Sequence, residues 1–289
     1  MQIILFFFSL HVINYGNERW NFARNARISS IGEASSALKD PASFFFNPAT
    51  SLLLKEKVIQ GTFSNYFSDI FKFGAFNLLT GDSINKFFLS LNYIFADKIL
   101  YTIYKDTTPA QDPLNIENKG FISINSIQIL SGFSKKIRNI YTGISLKLMR
   151  ENLHVGKGYG IGIDLGFLFK RDFNISFTLR NVFGNINIWN SGRKEFIPPS
   201  IRIGISKEFL KKILFTFDFE ALLEEKFKLK TCAGIEFIGT ENFFLRAGWR
   251  ENIPTFGAGL RIKKINIDYA LGGNFELSLF HIISASIEF

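Results

Sequence analysis

Cysteine is nearly absent from this chain. Cys232 stands alone, between Lys230 and Gly234, which excludes an internal disulfide framework and a cysteine-rich metal site. Histidine is scarce too. His11, His154 and His281 are the whole set, and none has a second ligand at a usual metal spacing. No Gly-x-Ser-x-Gly elbow occurs, so no catalytic set is assigned. The chain is read as a protein without catalytic residues, metal or cofactor. A long apolar run is missing as well. Nothing approaches the roughly 18–20 residues of a membrane helix, although 47% of residues are hydrophobic and 35 are Phe. The net charge of +9 comes without a basic block, which argues against nucleic acid as partner. Glycines at 156, 158, 160 and 162 mimic a nucleotide loop. A dinucleotide site needs a helix after them, whereas these positions share one strand face and suit close packing or bending of a sheet.

What the sequence does have is alternation. Phe243, Leu245, Ala247 and Trp249 alternate with Phe244, Arg246, Gly248 and Arg250. Phe256, Ala258, Leu260 and Ile262 alternate with Gly257, Gly259, Arg261 and Lys263. Two further runs follow, and the last places Ile283, Ala285, Ile287 and the terminal Phe289 on one face. A period of two with one apolar and one polar face describes a two-sided sheet. It suits a soluble sandwich, or a transmembrane barrel with lipid outside and a polar lumen.

Fourteen segments read as strands: 55–64, 69–79, 86–104, 121–135, 139–150, 158–170, 173–183, 197–208, 212–222, 227–238, 242–250, 255–263, 265–271 and 276–289. Most can cross a bilayer when tilted, which takes about 9–11 residues. If the first runs upward from the periplasm, the longer links 105–120, 151–157 and 184–196 all fall outside. The tight links near 136–138, 171–172, 209–211, 239–241 and 264 all fall inside. Short periplasmic turns with longer external loops mark an outer-membrane barrel, and a sandwich has no reason to sort its links this way. The fold expected is all-β: a transmembrane antiparallel barrel of about 14 strands.

The N-terminal region differs. Ile3 to Leu10 is an apolar stretch like the core of a secretory signal, so residues 1–16 are read as a signal peptide. Residues 17–54 are read as a plug and 55–289 as the barrel. Ile31 to Leu38 has helical spacing, Asp40-Pro41 breaks it, and Asn47-Pro48-Ala49 sets a turn because the residue before Pro avoids helix.

The run Ile31-Gly32-Glu33-Ala34-Ser35-Ser36-Ala37-Leu38-Lys39-Asp40-Pro41-Ala42-Ser43, with Asn47-Pro48-Ala49 after it, resembles the N-terminal signature of PorV/PorQ-like outer-membrane proteins. These are relatives of the FadL-type transporters of hydrophobic compounds. The C-terminal strands, from Phe243 through Phe256 and Asp268 to Phe289, resemble the same family. The chain departs from the pattern at Pro41 and Thr50, where the family tends to have Asp and Gly. The resemblance implies a fourteen-stranded barrel with an inward plug or hatch. It also implies contact with outer-membrane lipid, and delivery by the barrel assembly machinery through the C-terminal Phe289. On function it divides. PorV-type relatives serve type IX secretion of exported cargo proteins, and FadL-type relatives pass hydrophobic small molecules through the barrel wall. Secreted cargo is the first expectation, a hydrophobic compound the alternative, and a structural barrel without cargo the third.

Candidate site residues follow from these readings. Phe44, Phe45 and Phe46 in the plug are candidate contacts for an apolar ligand. By the alternation, Arg180, Arg202, Asp218, Glu220, Lys228, Lys230, Glu236, Arg246, Arg261 and Asp268 face the lumen. There they either pair structurally or line a polar path, since unpaired charge in low dielectric is costly.

Overall fold

The computed structural model describes residues 20, 25–66, 70–104, 116–154, 156–223, 228–240, 242–274 and 278–289. The signal-like stretch, His11 and most of the 105–120 link lie outside this set.

Alternating, aromatic and β-branched sequence forms long strands, and these close on one another. They are β1 (Val58–Tyr66), β2 (Phe71–Gly81), β3 (Asn85–Tyr104), β4 (Ile116–Ile137), β5 (Ile140–Leu153), β6 (Gly156–Lys170), β7 (Asn174–Arg180) and β8 (Asn185–Trp189). The chain continues as β9 (Lys194–Ile197), β10 (Ser200–Phe209), β11 (Ile213–Leu222), β12 (Lys228–Thr240), β13 (Phe243–Arg250), β14 (Ile253–Ile262), β15 (Ile265–Asn274) and β16 (Ser278–Glu288). Pairing is antiparallel throughout: β1 to β6 and β10 to β16 pair in sequence order, β6 pairs β7 and β8, β7 pairs β10, β8 pairs β9, and β1 pairs β16. The result is a closed barrel of 14 staves. In two staves β7 continues as β8, and β9 as β10. No edge is left for β1 and β16, because Val58 stands opposite Glu288 and the Phe289 N–H donates to the Lys57 carbonyl at 2.9 Å. We call this end the base and the opposite end the mouth.

The faces are inverted relative to a water-soluble domain. On β5, Ile144, Leu146 and Leu148 point out and are exposed, while Ser145, Lys147 and Met149 point in and are buried. The same holds around the wall: Phe63, Phe87, Phe215, Leu245 and Ile283 are exposed, and Gln60, Asn77, Gln128 and Asp218 are buried. A one-residue slip would turn every charge toward the apolar side, so the register is strongly fixed. No helix among the described residues is long and apolar enough to span a membrane. The closed barrel satisfies its backbone without one, and its apolar outer belt is built to stand in lipid.

Residues 25–54 fill the lumen as a plug. Its pieces are α1 (Ala26–Ser30) and two 3-10 turns, η1 (Ser43–Phe45) and η2 (Pro48–Leu53). Nearly all of its side chains are buried, and Lys39 is the exposed one. α1 packs on β13 to β16, and η2 on β3 to β6.

Three expectations are corrected. The helix is not at 31–38 but at Ala26–Ser30, capped by Asn25, whose side chain accepts the Ile28 N–H at 2.7 Å. Gly32 and Glu33 take φ of 65° and 63° and end it. The N–H groups of Ser35 and Ser36 then go to the wall carboxylate of Asp218 instead of continuing the helix. The link 184–196 is not a plain loop, because it carries β8 and β9. Segment 151–157 is largely ladder, as β5 runs to Leu153 and β6 resumes at Gly156. The backbone pairing simply continues past the apolar belt.

Candidate functional site

The lumen is organised in three levels. The lowest is a polar cavity of about 730 Å³ at the base, bordered by Arg27, Lys39, Asp40, Glu236, Arg246 and Asp268. Arg27 on α1 reaches across to the wall and holds Glu236 with two bonds of 2.8 Å. Glu236 also accepts from Arg246, whose other nitrogen donates to Asp268 at 2.7 Å. Asp40 closes the plug side. It accepts from Asn25 at 2.6 Å and from the Ala42 N–H at 2.9 Å, and lies 3.4 Å from Arg27. Burial pushes the Asp40 carboxyl up, against the pull of Arg27 and of the Ala42 N–H.

The middle level is the plug seat. Arg202 donates to Asp218 at 2.8 Å, lies 3.4 Å from Glu220, and donates to the Glu33 carbonyl. Arg180 bonds Glu220 at 3.0 Å. Wall hydroxyls complete the seat: Thr216 donates to the Ala34 carbonyl and Ser206 to the Ala37 carbonyl. Glu33 itself pairs with Arg250. The wall comes close because it carries glycines here. A Cβ on Gly248 would lie 2.1 Å from the Gly32 nitrogen, and one on Gly234 would lie 2.5 Å from Ile31.

The turn at Asn47-Pro48-Ala49 is part of this level. Asn47 is extended and caps η2 through its Oδ1, which accepts the Ala49 N–H at 3.0 Å. Its Nδ2 donates to the carbonyls of Ser36 at 2.9 Å and Phe167 at 3.1 Å. One side chain thus ties two plug segments and a wall strand. Phe44 stacks on Phe88 with centroids 4.6 Å apart, and Phe45 meets Phe46 edge-on. The Arg202 guanidinium lies 4.7 Å from the Phe46 ring centre. The three rings are therefore enclosed by plug and wall.

The upper level, toward the mouth, is apolar. Trp20, Ala26, Tyr66, Phe73, Ile94, Met149, Phe280 and Ile282 form one buried cluster, with Phe71 and Ile197 packed against it. The Trp20 Nε1 donates to Glu151 at 3.3 Å. Sequence reasoning missed this cluster. Its wall members are inward positions on β1, β2, β3, β5, β15 and β16, brought together by closure of the barrel, and Trp20 and Ala26 meet them from the N-terminal segment. Arg27 and Arg250 were missed for the same reason.

Of the remaining lumen charges, Lys230 stands opposite Glu220 in the ladder, and Lys228 is exposed at the mouth end of β12. Arg261 is exposed at the base, where it donates to Asn266 at 2.7 Å and lies over the Phe244 ring. His281 sits on the outer face, hydrogen-bonded to the Tyr269 hydroxyl at 2.7 Å.

The ladder is irregular at one level, where the Val182 N–H still donates to the Ile163 carbonyl at 2.9 Å. β6 pairs with β7 over Leu165–Lys170 and with β8 over Gly158–Ile161. Residues 181–184 between them leave the regular ladder, and Pro198-Pro199 separate β9 from β10. Asn181 turns inward there. It accepts from Lys147 at 2.7 Å, and Lys147 pairs with Asp164 at 2.7 Å, both deeply buried. Phe183 is turned out and exposed.

No protein-family model and no curated protein matches this sequence. Solved structures do match. The toluene transporter TodX of Pseudomonas putida superposes with a TM-score of 0.68 at 11% identity, over 97% of this chain and 100% of that one. The toluene transporter TbuX of Ralstonia pickettii gives 0.65 at 13%, over 93% and 98%. A FadL homologue of Pseudomonas aeruginosa gives 0.62 at 11%, over 92% and 98%. At such identities the likeness is one of architecture, and the fold of this chain is that of the FadL-like barrels.

Proposed function

We propose that this chain is a conduit of the bacterial outer membrane for small hydrophobic compounds. The observation that carries this reading is the apolar cluster around Trp20 and Met149 at the mouth end of the lumen, distinct from the apolar packing of plug against wall below it. A water-filled pore has no use for such a cluster, whereas an apolar solute leaving water gains from it. The solved structures that share the fold include toluene transporters and a monoaromatic hydrocarbon channel. They favour this alternative over the secretion role that the family resemblance put first. Among the described residues, the outward links β13–β14 and β8–β9 are short, two and four residues.

In this reading the solute enters at the mouth, rests among Tyr66, Met149 and Phe280, and leaves when the plug loosens or when the irregular ladder beside Phe183 parts. The charges at the seat are structural clamps, and Phe44 to Phe46 hold the plug and do not contact the ligand. Phe289 is the handle for the barrel assembly machinery. No covalent chemistry is required.

Uptake of radiolabelled toluene by cells carrying the chain tests this. Wild type should exceed the empty vector. Met149→Arg puts a charge into the cluster and should cut the gain about tenfold, since losing about 1.4 kcal/mol of favourable contact already does that. No gain over vector from a correctly folded barrel contradicts the proposal.

A further inference from the structure

The outer wall has an apolar depression that neither plug nor lumen uses. It is a groove of about 760 Å³ across β10 to β13. The register explains it. Ile205, Phe217, Ala233 and Trp249 stand side by side in one row across the wall. The next row toward the base is Lys207, Phe215, Ile235 and Ala247. The two alanines form a low floor between the larger Phe217, Trp249 and Ile235. Immediately behind that floor, Gly234 and Gly248 take the backbone of Ile31 and Gly32. The wall is therefore thinnest where it seats the plug.

The basal end of the groove is charged. Lys207 points outward with its Nζ 4.8 Å from the Phe209 ring centre, and it stands where groove and base cavity meet. The β10–β11 turn beyond it adds Lys211 and Lys212, both exposed. The one carboxylate of this stretch, Glu208, lies on the lumen side of the strand and borders the base cavity.

We propose that this groove holds an acyl chain of an anionic phospholipid from the periplasmic leaflet, with its phosphate on Lys207 and the turn lysines. A depression inside the hydrocarbon belt is filled by hydrocarbon, and a lysine whose stem lies on apolar wall can lift its ammonium to the interface. Basic residues at a membrane surface select anionic headgroups. The bound chain braces the outer side of the plug seat. The assignment rests on the orientation adopted above, with the base in the periplasm, and is independent of what the lumen carries.

Trp249 rims the groove and reports on it. In a Trp20→Phe, Trp189→Phe background it is the one tryptophan left. The barrel is reconstituted in phosphatidylcholine with rising fractions of phosphatidylglycerol carrying brominated chains, since bromine quenches tryptophan only in near contact. Phosphatidylglycerol should be enriched at Trp249 about five-fold over its bulk fraction, the ratio expected for one lysine at a charged surface. Lys207→Gln should lower the enrichment, and Lys211→Gln with Lys212→Gln added to it should bring it close to one. Ala233→Leu with Ala247→Leu should abolish it by filling the groove, with heat-modifiable gel migration confirming a folded barrel. Wild-type enrichment near one, or enrichment unchanged in Lys207→Gln, overturns the proposal. Toluene uptake is not part of the readout. Thiol labelling of Lys211→Cys in intact and broken cells reads the orientation separately.

Discussion

Arg27 of the plug and Glu236 of the wall form a two-pronged pair, with both N–H···O distances at 2.8 Å. Paired, planar hydrogen bonds of this kind fix position as well as charge. Arg246 shares the same carboxylate, so one side chain holds a plug cation and a wall cation together. The clamp ties plug to wall through side chains alone.

Glu236→Gln removes the shared charge and leaves Arg27 with Asp40 and Arg246 with Asp268. Removing one partner of a buried pair costs about 3–5 kcal/mol when nothing replaces it. These residual partners place the expected loss below that range, and it should fall on plug seating. Single-channel recordings should show longer or larger openings than wild type. Unchanged closed-state occupancy would remove Glu236 from the clamp.

Gly248→Ala tests the close approach of plug and wall. Its Cβ would meet backbone atoms of Ile31 and Gly32, so something must shift, and overpacking of this kind costs about 1–3 kcal/mol. Gly61→Ala on the same barrel meets nothing within 4 Å and is the control. Protease sensitivity of the plug should rise in the first variant and stay at the wild-type level in the second.

Asn47 acts as cap and as tie. Asn47→Asp keeps the acceptor for the Ala49 N–H, but turns the donors to Ser36 and Phe167 into a carboxylate facing two carbonyls. Asn47→Ala loses the cap as well, worth about 0.5–2 kcal/mol. Both should lower the unfolding midpoint in detergent. If only Asn47→Ala did so, the ties to Ser36 and Phe167 would count for nothing.

Asp40 gives the expected pH dependence. Its folded pKa is raised above the ordinary aspartate value, chiefly by burial, so the folded state binds its proton more readily than the unfolded state. The sign follows from linkage: this contribution is present below the unfolded pKa and is lost as pH rises through the folded one. The Tm of wild type relative to Asp40→Asn should therefore grow as pH falls toward 4. A constant difference would place Asp40 in an unperturbed setting.

The staves were legible because a two-sided wall writes its alternation directly into sequence. Ile144 and Leu148 against Ser145 and Lys147 can face only one way. Asn47-Pro48 was legible as a turn because proline restricts its neighbour locally. The plug helix is misplaced because Ile31, Ala34, Ala37 and Leu38 have helical spacing, yet Asp218, more than 180 residues away, captures the N–H groups of Ser35 and Ser36. The apolar cluster is invisible for a related reason. Tyr66, Met149 and Phe280 become neighbours only through the closed register, and no local pattern marks any of them. β8 and β9 were read as loop because Asn, Gly and Ser interrupt them at 190–192, although the flanking residues do pair.

The central claim is that the apolar cluster around Trp20 takes up an apolar solute, and contact quenching tests it most directly. With Trp189 and Trp249 replaced by Phe, Trp20 is the sole tryptophan. Bromobenzene is then titrated into the folded, detergent-solubilised barrel. The account predicts saturable quenching that Met149→Arg weakens about tenfold, equivalent to about 1.4 kcal/mol. Quenching that rises linearly without saturation, identical in both proteins, would contradict it.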